Sequence, residues 1–131
     1  MEALLRSELV HWLRNDPALG DLNGVGEESP LTAPLPWLAI AASASAEWGT
    51  KDRRGREVRV ALELESRGDA PDAAADLITA IEQRVAAFRQ AASGFTVASV
   101  GFLRARSEQR GRNRRATLLE FRFRLLENPS E

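Results

Sequence analysis

Two stretches of this chain alternate apolar and polar residues with a period of two, and that pattern constrains the fold more than any other feature. In residues 56–66 (REVRVALELES), Val58, Val60, Leu62 and Leu64 point one way and Arg59, Ala61, Glu63 and Glu65 the other, as in a strand with one buried face. Residues 114–126 repeat the pattern, with Thr117, Leu119, Phe121, Phe123 and Leu125 opposite Glu120, Arg122 and Arg124. Each run follows another strand-like segment and an arginine-rich turn. Residues 37–47 (WLAIAASASAE) lead into KDRRGR at 51–56, and residues 95–106 lead into RARSEQRGRNRR at 104–115. Two hairpins are expected, with Gly55 as the permissive turn position of the first.

A sheet with one apolar face needs a second layer to cover it. Residues 2–14 place Leu5, Leu9, Trp12 and Leu13 at helical spacing, and Asp16-Pro17 stops that helix because the residue before proline avoids the α region. Between the hairpins, Ala74, Leu77, Ile78, Ile81, Val85 and Phe88 form one stripe. Gly68 and Asp69 are the capping candidates for this second helix, Pro71 fits its first turn, and its end is expected near Ser93-Gly94. Residues 15–35 contain Gly20, Gly24, Gly26, Pro30 and Pro34 and read as an irregular excursion. The order α-β-β-α-β-β implies an α+β fold: a four-stranded, mainly antiparallel sheet with two helices packed on one face. At 131 residues the whole chain is expected to form one domain, 1–131.

Charge is unevenly placed. Residues 51–56 carry +3 and residues 104–115 carry +5 in a chain of net charge −1, so the remainder carries −9. Two basic hairpin tips, 48–56 and 107–115, therefore stand on an acidic body, which favours an oriented docking partner over diffuse adhesion to nucleic acid. A charge run of this kind is equally what a solvated turn looks like. All but one of the 18 basic residues are arginine, which suits planar, bidentate contacts with carboxylates or phosphates.

The inventory points away from catalysis. The absence of cysteine removes disulfides, thiolate chemistry and Cys-based zinc sites, and is compatible with a reducing cytoplasm. The single histidine, His11, has no second ligand nearby, so no metal is expected. The segment Asn23-Gly24-Val25-Gly26-Glu27-Glu28 lacks the Lys-Ser/Thr of a phosphate loop and places acids where a phosphate would sit. No cofactor is expected, and the N-terminus, with acids among its apolar residues, reads as neither signal peptide nor membrane span. Tyrosine is absent and tryptophan scarce, so the stacking platforms of single-strand binders are missing.

Taken in order, several segments resemble the tail-completion (tail-terminator) proteins of long-tailed bacteriophages, which also occur in phage-derived gene transfer particles. They are Asp16-Pro17-Ala18-Leu19, Pro34-Leu35-Pro36-Trp37-Leu38, Glu47-Trp48-Gly49-Thr50-Lys51, Gly55-Arg56-Glu57, Glu63-Leu64-Glu65-Ser66, and Leu119-Glu120-Phe121-Arg122-Phe123 at the end. The second turn departs from the family's usual Asp and Gly, reading Ser107-Glu108-Gln109-Arg110-Gly111-Arg112-Asn113-Arg114.

The resemblance implies a non-enzymatic structural protein. Its copies would form a hexameric ring that caps the tail tube and joins it to the head-connector (stopper) protein, with DNA passing through the lumen without sequence-specific binding. It implies assembly in the host cytoplasm and a final place at the head-proximal end of the tail. Partner contacts are then expected at Trp48, Lys51, Arg53, Arg54, Arg56, Arg110, Arg112, Arg114 and Arg115. Residues 107–115 are expected to lack one conformation in the free subunit, because like charges repel and nothing apolar anchors them, with a neighbour's Glu27 and Glu28 ordering them on assembly. The competing reading is a nucleic-acid-binding module using the two tips as phosphate clamps.

Overall fold

The computed structural model describes residues 1–30, 32–89 and 94–128. In chain order it runs through α1 (Glu2–Arg14), one turn of 3-10 helix (Pro17–Leu19), β1 (Val25–Gly26), β2 (Trp37–Gly49), β3 (Arg54–Arg67), α2 (Pro71–Ala86), β4 (Phe95–Arg110) and β5 (Arg114–Glu127). The sheet order is β1-β2-β3-β5-β4. The two alternating runs, β3 and β5, pair antiparallel at its centre from Gly55↔Leu126 to Arg67↔Arg114. Their apolar sides coincide in register: Val58, Val60, Leu62 and Leu64 of β3 and Leu119, Phe121, Phe123 and Leu125 of β5 are all buried. Both helices cover this face. Leu5, Leu9 and Leu13 of α1 and Leu77, Ile81 and Val85 of α2 enter one core with it, each residue removing apolar surface from water at about 25 cal/mol per Å². Phe88 sits edge-on to Phe123 at 5.8 Å and to Trp12 at 6.3 Å, tying the sheet to α1.

The architecture is α+β, but the sheet has five strands and is mixed, where four mainly antiparallel strands are expected. The extra strand is Val25–Gly26, inside the supposedly irregular excursion, and it runs parallel to Leu38 and Ala39 of β2. Backbone groups carry it. Leu38 N–H donates to the Gly24 carbonyl at 2.9 Å, and the Arg14 guanidinium donates to the Val25 carbonyl at 2.7 Å. A two-residue ladder has no period for a sequence to display.

Three local expectations also differ. Gly55 lies within β3, opposite Trp48, where a Cβ would collide with the carbonyl oxygens of Trp48 and Leu125; close strand approach, not turn geometry, requires glycine there. The cap of α2 is Ala70, without a side-chain bond, while Pro71 takes the first helical position. Finally, α2 stops at Ala86, with the Ala87 N–H bonded to the Gln83 carbonyl, although the apolar stripe runs on to buried Phe88. Ser93 lies outside the described residues, and Gly94, at φ +120°, immediately precedes β4.

Candidate interaction surface

Strand pairing places the two basic tips at opposite ends of the sheet. The β2–β3 turn adjoins Gly55, which pairs with Leu126 at the end of β5, whereas the β4–β5 turn adjoins Arg114, which pairs with Arg67 at the end of β3. The fourteen residues of β3 separate them, about 40 Å at the rise of an extended strand.

The first tip is shorter than the expected 48–56. Trp48, Arg54 and Arg56 belong to strands, and the turn is residues 50–53, closed by Thr50 N–H to the Arg53 carbonyl at 3.0 Å. Arg53 is turned inward, donating from Nε and Nη2 to the Glu127 carbonyl at 3.0 and 2.7 Å. Trp48 is half-buried with the Arg124 guanidinium 5.5 Å from its ring centre. Lys51, Arg54 and Arg56 are exposed and have no side-chain partner within bonding distance among the described residues. They line, with Trp48 and Asp52, two adjoining open concavities at this end.

The second tip is shorter still. β4 continues through Arg110 and β5 resumes at Arg114, so the turn is Gly111, Arg112 and Asn113, the last two at φ 66° and 57°. It is also anchored, contrary to the expectation for 107–115: Ser107 and Thr117 hydroxyls bond at 2.8 Å, and the Gly68 N–H donates to the Asn113 carbonyl at 2.8 Å. Arg110 contacts Glu108 at 3.0 Å and Glu63 at 3.2 Å, and Arg114 contacts Glu65 at 2.5 Å. The acids that hold these arginines belong to the same chain. Glu27, expected to serve a neighbour, pairs with Arg6 at 3.1 Å. Arg112 and Arg115 carry no such pairing among the described residues, and Arg112 is exposed.

Between the tips, the sheet face turned away from the helices is an ion-pair lattice. Glu57 lies 3.1 Å from Arg124, 3.7 Å from Arg59 and 3.9 Å from Arg122, and Arg104 pairs with Glu120. The hydrogen bond from Arg104, followed by its charge, holds the Glu120 carboxyl below its ordinary range, and the same bond raises the Arg104 guanidinium. A hydrogen bond to Glu108 likewise raises Arg110. Each of these guanidiniums faces a carboxylate of its own chain, with Arg59, Arg122 and Arg124 sharing the single Glu57.

One exposed feature escapes a reading based on charge. β4 is an edge strand, and beyond Gly101 both its faces are open; Phe102 and Leu103 are 52% and 40% exposed, unlike every other large apolar side chain described. The register slips between Phe102 and Arg104, so Leu103 is the bulged residue. The signal in the sequence is two consecutive apolar residues where alternation calls for one.

Among the described residues, no group of three or more His, Cys, Asp or Glu side chains is placed to hold a metal ion, and no helix is long and apolar enough to cross a membrane. His11 is exposed and shares a 3.0 Å hydrogen bond with Asn15.

Comparison with known proteins gives one family. The model of the family described as tail completion protein gp17 matches residues 7–126. Among solved structures, a chain from the virion of a native gene transfer agent particle superposes with a TM-score of 0.77 at 19% identity, covering 95% of each chain; at that identity the likeness establishes the fold. No curated protein matches.

Proposed function

The chain belongs to the tail completion protein gp17 family and is a structural part of a phage-type tail, and we propose that it acts there as the terminator. Six copies close into a ring on the finished tube, stop its growth, and present the surface that the head connector engages, with DNA passing through the lumen. One observation carries this reading: the two basic hairpin turns open at opposite ends of a single sheet. A subunit that joins two different assemblies needs two opposed contact surfaces. A phosphate clamp would need both tips on one side, and Arg110 and Arg114 would have to leave their own glutamates first.

In this reading the chain is one domain throughout, and Lys51, Arg54 and Arg56 with Trp48 form one axial contact. Arg112 and Arg115, supported by Arg110 and Arg114, form the other. Arg53, bonded to Glu127, shapes the first tip. The protein assembles in the host cytoplasm and ends at the head-proximal tip of the tail. Mixing it with polymerising tube protein tests the proposal: negative-stain images should show a ring at the tube end and tube lengths should stop increasing. Tubes that keep growing with bare ends in its presence overturn it.

A further inference from the structure

We infer that neighbouring copies meet edge to edge, the Phe102–Leu103 patch of one copy's β4 seating on residues 41–45 of the next copy's β2; this rests on the ring reading above. The two edges are open and lie at opposite sides of the sheet. β1 covers β2 only at Leu38 and Ala39, so the outer edge of β2 is unpaired from Ala41 onward, and β4 has β5 on one side alone. Successive antiparallel pairings make β2 and β4 run in opposite directions, so β4 laid against a second copy's β2 forms an antiparallel contact. Such a contact is heterologous and generates a ring when its rotation closes.

Position and chemistry match as well. Following the register across the sheet, Ala42, Ala61, Glu120 and Arg104 share one row. With strands along the ring axis, a closed ring keeps each row at its own height, which brings Arg104 level with Ala42 and Phe102 level with Ser43, with Leu103 between them. Bulky apolar side chains then face the small residues Ala42 and Ser43, which leave room for close approach. Both edges carry a register slip at this height, between Ile40 and Ala42 and between Phe102 and Arg104, a device that hinders unlimited edge pairing and redirects side chains. Charges complement the contact: the exposed Arg106 follows the patch on β4 and the exposed Glu28 follows β1 beside β2, neither with an ion-pair partner among the described residues.

The lack of native cysteine allows a direct test. A variant carrying both Leu103→Cys and Ala42→Cys, assembled on tube ends and treated with a short bis-maleimide, should give a ladder of cross-linked species ending at the closed ring, while each single variant stays uncross-linked. Dimers from Leu103→Cys alone would mean that like edges meet, and would overturn the inference. So would rings that form normally yet cross-link in neither arrangement, with the ring reading left standing; tubes without rings, by contrast, defeat that reading itself. As a second measurement, Leu103→Glu, which replaces the apolar contact with an acid near Glu28, should abolish ring formation with an unchanged melting temperature. Intact rings in that variant would also overturn the inference.

Discussion

At the residue scale the helices are joined by a reciprocal clamp. The Arg84 guanidinium lies 3.3 Å over the Trp12 ring and donates to the Trp12 carbonyl at 3.0 and 2.8 Å, while Trp12 Nε1 donates to the Arg84 carbonyl at 2.7 Å. Lysine keeps the charge but loses the planar fork and the stacking. Arg84→Lys should therefore cost about 1–2 kcal/mol, from hydrogen bonds to a charged donor and a partly desolvated cation–π contact; urea unfolding measures it, and an unchanged midpoint would show the clamp to be idle. The clamp is illegible in sequence because its partners are 72 positions apart and each alone reads as an ordinary helix residue. Glu2 offers a pH test. Hydrogen bonds from Ser45 and then Ser43, with the charges of Arg6 and Arg56, hold its carboxyl below the ordinary carboxylate value. A depressed native pKa contributes stability above the unfolded value that disappears as pH falls through the native one. Glu2→Gln should be less stable than the parent at neutral pH and converge with it in acid; a constant gap across pH would remove Glu2 as the cause.

Elements were legible where burial imposes a period. The buried face of β3 and β5's apolar side follow from alternation alone, and helical spacing marks Leu5, Leu9 and Leu13 of α1 and Ala74, Leu77, Ile81 and Val85 of α2, but not buried Val10. The end of β4 was not, because Ser107–Arg110 are exposed on both faces and are held as strand only by pairing with β5; without burial, no pattern marks them. The same absence made the second tip read as mobile from its charge, although carboxylates far away in sequence, Glu63 and Glu65, pair with its Arg110 and Arg114. Its turn has Asn113 at φ 57°, a conformation that costs an ordinary L-residue roughly 1–2 kcal/mol. Asn113→Ala should thus destabilise the hairpin by about 1 kcal/mol while Asn113→Gly stays near neutral. Amide exchange in the isolated subunit reads this at Gly68, whose N–H bonds the Asn113 carbonyl: protection in the parent and the glycine variant, faster exchange in the alanine variant. Fast exchange in the parent would restore the disordered tip.

On the scale of the whole molecule, the placement of charge separates two tasks. Counting charges along the chain finds both basic turns but not that the sheet holds them about 40 Å apart, because strand order β3-β5-β4 reverses the second hairpin relative to the first. With each tip reaching a different assembly, reversing one should impair one joint. Lys51→Glu with Arg54→Glu alters only the first tip, and Arg112→Glu with Arg115→Glu only the second; Lys51, Arg54 and Arg112 are exposed, Arg115 is partly so, and none has a side-chain partner among the described residues. Exposed changes of this kind rarely shift stability beyond about 0.5 kcal/mol per site, so folding should survive both. Particle assembly then discriminates: one variant should leave tubes uncapped, the other should leave capped tails unjoined to filled heads, and each should retain the step the other loses. If both variants fail at the same step, the two tips serve one surface and the opposed-face arrangement is wrong, whatever the shape of the ring.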